Sequence, residues 1–245
     1  MKNVILVLLS LFFFYGCAVD RGSYGPFKRS LNSKSYGYSM EENTPYNSNG
    51  NVIERFEVRD GDCAADQGWN DCKKDRERSE LSEINKVTTS GSKYWYGWNI
   101  YFPKDYNIVY PTKVALGQFH QHHAPPAWMF QNHNGGYFLD GYTPEYLTLI
   151  DKKDLLGKWH KIEMQVKWTR ENNGYLNIWV NGVQKVKYTG RTMTASAVYF
   201  KYGIYRSFMS RYKTRKNADT VPSQVVYFSN VKRASSRDGL KEKQK

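Results

Sequence analysis

Polar and apolar residues alternate with a period of two over most of the chain, and stretches with a helical period are scarce. The clearest case is residues 159–168. There Ile162, Met164, Val166 and Trp168 face one way and Lys161, Glu163, Gln165 and Lys167 the other. Comparable runs predict strands over 52–59, 76–84, 94–102, 114–123, 146–150, 175–180, 183–188, 198–207 and 225–231. Asn181-Gly182 between two of these runs is a strong hairpin signal. Pro125-Pro126, residues 132–136 and the basic stretch 211–216 read as loops. Many short strands with turn signals between them predict an all-β domain, a jelly-roll β-sandwich of two antiparallel sheets. Its bounds are 52–231, after an irregular, Gly/Ser/Asn-rich lead-in over 18–51 and before a charged, frayed tail over 232–245.

The amino terminus sets an expectation about compartment. Behind Lys2 runs an apolar stretch from Val4 to Tyr15, the length of a signal-peptide core and short for a membrane span. It closes on Gly16-Cys17, which resembles the lipobox of bacterial lipoproteins and makes Cys17 the expected lipidation site. Ordinary signal cleavage near Gly16-Cys17-Ala18 is the alternative. Either way the protein is expected to be exported, to the bacterial cell envelope or beyond. That leaves Cys63 and Cys72 as a lone pair, most simply one disulfide in an oxidising compartment.

Composition narrows the partners. The net charge of +13 points to a polyanion or an anionic surface, and 20 Tyr with 7 Trp suit sugar and nucleic-acid binders alike. The export signal and the cysteine pair argue against nucleic acid. Membrane contact is expected only through the lipid anchor, and the chain is expected to be a monomer.

Three of the predicted strands put polar residues on one parity and apolar residues on the other. The first presents Arg76, Arg78, Glu80 and Ser82; the second Gln118, His120 and His122; the third Tyr199, Lys201 and Tyr205. Arg206 opens a basic run toward Lys216 that would form the groove rim. If these strands are neighbours, one groove holds Arg, Gln, His, Lys and Tyr together. That set suits β-elimination from a uronic acid. Arg and Gln neutralise the carboxylate so that the C5 proton can leave, a neutral His or ionised Tyr takes it, and a Tyr hydroxyl protonates the departing O4. No metal or other cofactor is needed for such chemistry.

Arg78-Ser79-Glu80-Leu81, Gln118-Phe119-His120 and the run from Tyr199 to Tyr205 resemble the signature strands of the jelly-roll polysaccharide lyases. That group includes alginate lyases, glucuronan lyases and heparin lyase I. The segment from Trp159 to Trp168, Gly174 and Ile178-Trp179-Val180-Asn181-Gly182 are most similar to the heparin lyase I and glucuronan lyase branch. The resemblance covers residues 52–231 and implies a concanavalin A-like sandwich with a concave substrate groove. It also implies that Arg78 and Gln118 bind the substrate carboxylate and that Lys201 contacts a subsite. His120 would be base or neutraliser, and Tyr205 the acid, or both acid and base. Arg76, Glu80, His122, Tyr199 and Arg206 are counted with them as substrate-binding positions. Ser82 and Tyr202 depart from the alginate-lyase pattern, where an Arg and a small residue are usual, which weighs against alginate as the substrate.

Other readings compete. A non-catalytic, lectin-like module binding acidic glycans could use the same fold. A retaining glycoside hydrolase needs two carboxyls about 5–5.5 Å apart, and Glu80 and Glu83 have opposite parity. A zinc site from His120, His122, His123 and His133 lacks a nearby carboxylate.

Overall fold

A computed structural model describes residues 20–42, 44, 46, 52–84 and 88–241; the apolar leader and Cys17 lie outside them. The strands in order are β1 (Phe27–Arg29), β2 (Tyr38–Glu41), β3 (Ile53–Val58), β4 (Arg76–Glu83) and β5 (Thr88–Thr89). Next come β6 (Lys93–Tyr101), β7 (Lys113–Gln121), β8 (Ala124–His133), β9 (Gly136–Asp140) and β10 (Leu147–Ile150). A single helical turn, α1 (Lys152–Leu155), precedes β11 (Trp159–Lys167), β12 (Tyr175–Val180), β13 (Val183–Thr189) and β14 (Ala197–Ser207). Helix α2 (Met209–Lys216) and strand β15 (Gln224–Ala234) follow.

These strands form the expected jelly roll. One sheet runs β1-β4-β14-β7-β8-β9-β10, with β5 beside β14; the other runs β13-β12-β11-β6-β15-β3-β2. Alternation explains which face each sheet buries. On β11, Ile162, Met164 and Val166 are fully buried while Lys161 is exposed. Between the sheets Trp98 meets Phe130 edge-on at 4.8 Å, and within one sheet the paired Phe119 and Phe200 rings lie 4.7 Å apart on the core face. Each such ring contributes roughly 1.5–3 kcal/mol by leaving water. Asn181 and Gly182 both have positive φ, +50° and +83°, which a tight β12–β13 hairpin of the twist-matched kind requires.

One polar node crosses this core. The Tyr202 hydroxyl lies 2.9 Å from both carboxylate oxygens of Glu54 on β3, and Arg21 and Tyr38 close the same cluster. A buried carboxylate is tolerated there because donors surround it. Tyr202 therefore belongs to the core, and its departure from the alginate-lyase pattern does not reach the groove.

Several segments differ from expectation for identifiable reasons. The lead-in, read as irregular, supplies β1 and β2, one edge strand to each sheet. Pro125 and Pro126, read as a loop, lie inside β8, where the β7–β8 register shifts between Phe119 and Gln121 and no ladder N–H is needed. Residues 211–216, read as a loop, fall in α2. This mostly polar helix seats only Met209 and Tyr212 against the core and is also held at its ends: Asp75 accepts from the Ser210 N–H, and Asn217, at φ +48°, closes it with a bond to the Lys213 carbonyl. The tail is tied down by Leu240, buried against Gly97 of β6.

Candidate active site

The three polar strands are neighbours, with β14 between β4 and β7. Their register sets side chains in rows across one face. Tyr199 stands opposite His120, and Lys201 between Ser82 and Gln118. Tyr205 stands between Arg78 and Ala115, and Ser207 between Arg76 and Lys113. All of these but the buried Ala115 line a groove of about 1030 Å³. Between Lys201 and Tyr205 comes Gly203, at φ +119°, where the β7–β14 register shifts by a bulge. It puts no side chain into its row, so Gln118 on β7 reaches across β14 to Glu80 on β4, Nε2 to Oε1 at 2.6 Å.

Glu80 organises the floor. Its Oε2 accepts from Lys201 Nζ at 2.7 Å and from Arg78 Nη1 at 3.3 Å. Burial alone would raise its carboxyl pKa, but Lys201 and Arg78 outweigh burial and hold it below the usual range. Burial conversely lowers the Lys201 ammonium below its ordinary value, against the pull of Glu80. Glu80, expected to bind substrate, is instead 2% exposed and saturated by its neighbours. It is a positioning residue for Gln118, Lys201 and Arg78.

Arg78 is held from behind. Asp71 accepts from its Nε and Nη2, each at 2.6 Å, in a two-pronged pair. The fork expected to grip a substrate carboxylate is therefore engaged by the protein itself. What faces the groove is Nη1, whose contacts to Glu80 and Ser30 are long, 3.3 and 3.4 Å. The guanidinium also lies over the Tyr205 ring, 4.6 Å from its centroid, which fixes the phenol in the same row.

His120 has a defined tautomer. Its Nδ1 lies 2.9 Å from the Gln121 carbonyl, which can only accept, so the proton sits on Nδ1 and the Nε2 lone pair is left for chemistry. Burial lowers the imidazole pKa, with the Lys201 and Arg78 charges acting in the same direction. The ring packs against Tyr199 at 5.3 Å, and His122 meets Tyr199 edge-on at 5.7 Å. Burial raises the Tyr199 hydroxyl above its ordinary value, with Glu80 adding to it.

The groove thus gathers Arg76, Arg78, Gln118, His120, His122, Tyr199, Lys201 and Tyr205. Arg206 is a correction. It is 0% exposed on the opposite parity, paired with Glu77 and donating to the Pro222 carbonyl, so it braces the core side of β14 and not the groove rim. His133 stands apart, edge-on to Tyr110 and Tyr146. The Cys63–Cys72 disulfide is formed, with Cα atoms 5.1 Å apart.

The family model described as Polysaccharide lyase matches residues 27–232. The chain belongs to the polysaccharide lyase family. None of the curated proteins matches it. Among solved structures, this lyase is similar to an endo-β-1,4-glucuronan lyase from the fungus Trichoderma reesei. The two are 16% identical with a TM-score of 0.60, over 87% of this chain and 96% of that one. It is also similar to an alginate lyase of polysaccharide lyase family 7: 16% identity, TM-score 0.56, over 85% of this chain and 92% of that one. The catalytic domain of a glycoside hydrolase family 131 protein from Coprinopsis cinerea matches at 13% identity and a TM-score of 0.59, over 87% of this chain and 84% of that one. At such identities the likeness is one of fold, and a hydrolase-family protein shares it. The chemistry has to be argued from the side chains.

Two residues that shape this lyase's groove, one at its rim and one behind it, escaped sequence reasoning. Asp71 and Trp69 sit in the loop between β3 and β4, which has no periodicity. Asp71 is fully buried behind Arg78, and Trp69 stands at the rim, its indole N–H donating to Asp71 at 2.7 Å.

Proposed function

We propose that this polysaccharide lyase cleaves a uronic-acid-containing polysaccharide by β-elimination. The observation that carries the reading is the shared groove face of Arg78, Gln118, His120 and Tyr205. Arg78 Nη1 and the Gln118 amide meet the carboxylate and stabilise the charge that spreads onto it as the C5–H bond breaks. His120 Nε2 takes the C5 proton; it is neutral at pH 7 because its pKa lies below 6.5. The electron pair forms the C4–C5 double bond, the C4–O4 bond breaks, and the Tyr205 hydroxyl protonates the departing oxygen.

The same geometry disfavours hydrolysis. A hydrolytic general acid needs a carboxyl with a raised pKa. Glu80, on the groove parity, is held ionised by Lys201 and Arg78; of the carboxylates that line the groove, Glu83 is paired with Arg233 and Asp66 accepts from the Gly68 and Trp69 N–H groups.

The test is Tyr205→Phe and His120→Ala on a panel of polyuronates, following the ultraviolet absorbance of the unsaturated product. Wild type should release product from at least one polymer. Each variant should lose at least about 100-fold in rate, the usual scale of a proton-transfer group. Full activity in either variant removes that residue's role. Binding without product in wild type would make the protein a glycan-binding module.

A further inference from the structure

We infer that Trp69 is a stacking subsite for a sugar ring of the acidic polymer, adjacent to the ring whose carboxylate meets Arg78. The inference rests on the proposed binding of an acidic glycan in this groove. Trp69 is 44% exposed, on a chain whose Trp98, Trp128 and Trp168 are fully buried, and it lines the groove wall. An indole usually hides its ring and shows its N–H; here the arrangement is reversed. The polar edge is tied inward by the bond to Asp71 Oδ1, so the part of the residue that lines the groove is its ring, over which the Lys74 ammonium lies 5.9 Å from the centroid.

That face is held rigid. Asp66 Oδ1 accepts from the Gly68 and Trp69 backbone N–H groups, each at 2.8 Å, so the loop is fixed at the tryptophan itself. The Cys63–Cys72 disulfide closes the same loop from below. A preorganised aromatic face loses little entropy on binding, and the apolar C–H face of a sugar ring is its natural complement.

The position follows from one atom. Asp71 Oδ1 accepts both from Trp69 Nε1 at 2.7 Å and from Arg78 Nη2 at 2.6 Å. Indole and guanidinium are thus side by side, bridged by a single carboxylate oxygen. A polymer whose carboxylate meets Arg78 therefore has Trp69 within reach of a neighbouring ring. The ligand class is a pyranose of a uronate-containing chain, stacked through its C–H face while its neighbour is held by charge.

The test is binding measured apart from turnover, by calorimetry in a Tyr205→Phe background. The probes are polyglucuronate, alginate and heparan sulfate, with neutral dextran as control. In that background Trp69→Ala should weaken affinity for the bound acidic polymer about tenfold, or about 1.4 kcal/mol. Trp69→Phe, which keeps an aromatic face and loses the N–H, should stay within about threefold. Circular dichroism should show both variants folded, since the ring is at the surface. Unchanged affinity in Trp69→Ala overturns the subsite and leaves the lyase reading standing. Equal losses in both variants also overturn it, since the hydrogen bond and not the ring face would then matter. If no acidic probe binds the Tyr205→Phe parent and wild type releases no product, the proposed function falls and the subsite with it.

Discussion

Asp71 and Arg78 form a closed two-pronged pair, with both carboxylate oxygens 2.6 Å from guanidinium nitrogens, behind the groove and not in it. The pair fixes which edge of the guanidinium faces a substrate. Arg78 is itself only 7% exposed, so a desolvated cation is kept charged and aimed by a desolvated anion. The Asp71 carboxylate stands one residue before Cys72, so the covalent loop, the anion and the cation form one chain of support.

Asp71→Asn tests that support. The amide fits the same space but removes the charge that balances Arg78, leaving Glu80 as its remaining close anion. Breaking a buried pair in this way costs about 3–5 kcal/mol, which urea unfolding will read. Catalysis should suffer beyond stability: kcat/KM falls roughly 10- to 100-fold at a temperature where the variant is fully folded. Wild-type kcat/KM in a folded Asp71→Asn protein would show that Arg78 needs no orienting partner.

The disulfide makes a related prediction. Cys63 and Cys72 are separated by 9 residues in sequence, a short loop whose cross-link is worth about 2–3 kcal/mol in the chain-entropy model. Cys63→Ser with Cys72→Ser should therefore lower Tm by about 2–4 °C for each kcal/mol lost. Since Asp71 and Trp69 ride on this loop, KM should also rise. A lower Tm with unchanged KM at a temperature well below it would mean that the loop holds its shape without the bond.

Parity made the three groove strands legible. A sheet facing a groove on one side and a core on the other must alternate, and Arg78, Gln118, His120 and Tyr205 all obey. Arg206 was misread although parity placed it correctly: it follows Tyr205 and therefore sides with Ile204 and Tyr202. Its positive charge suggested a rim, and only the buried Glu77 opposite explains a cation inside. Glu80 shows the limit of parity, which gave its face but not its depth; three donors from three strands cover it. Asp71 and Trp69 were beyond reach because loop geometry has no period. Pro125 and Pro126 looked like breakers because a bulge, which excuses a missing N–H, leaves no mark in composition.

The pH profile follows from His120. Burial depresses its pKa, and in the proposed mechanism the form that acts as base is the neutral one. The acid limb of kcat/KM, which reports the free enzyme, should therefore have an apparent pKa below 6.5. Stability carries the same sign. The unfolded imidazole binds a proton near pH 6.5 while the folded one resists it, so this contribution is complete above 6.5 and is lost as pH falls through the folded value. Direct titration of the His120 ring by NMR would check both, and a ring that titrates above the ordinary histidine value would show that burial and the Lys201 and Arg78 charges do not outweigh the Gln121 bond and Glu80.

Gly203 provides the most local test of how the fold makes the site. Its φ of +119° is a conformation that L side chains rarely adopt. A Cβ built there would lie 2.4 Å from the Ser79 carbonyl oxygen and 2.6 Å from the Phe56 ring. Neither can yield easily: the first belongs to β4 backbone, and Phe56 is fully buried between the sheets. Gly203→Ala therefore combines backbone strain with overpacking, about 3 kcal/mol or more of lost stability. Relief would require β14 to shift away from β4, and the residues on either side of the bulge are Lys201 and Tyr205. The Arg78–Tyr205 ring contact and the Lys201–Glu80 bond should loosen together, so activity should fall in protein that remains folded at low temperature. Thermal unfolding and kcat/KM measured on the same preparation decide it. A Gly203→Ala protein with wild-type Tm and rate would mean that the bulge neither fixes the register of β14 nor seats Tyr205.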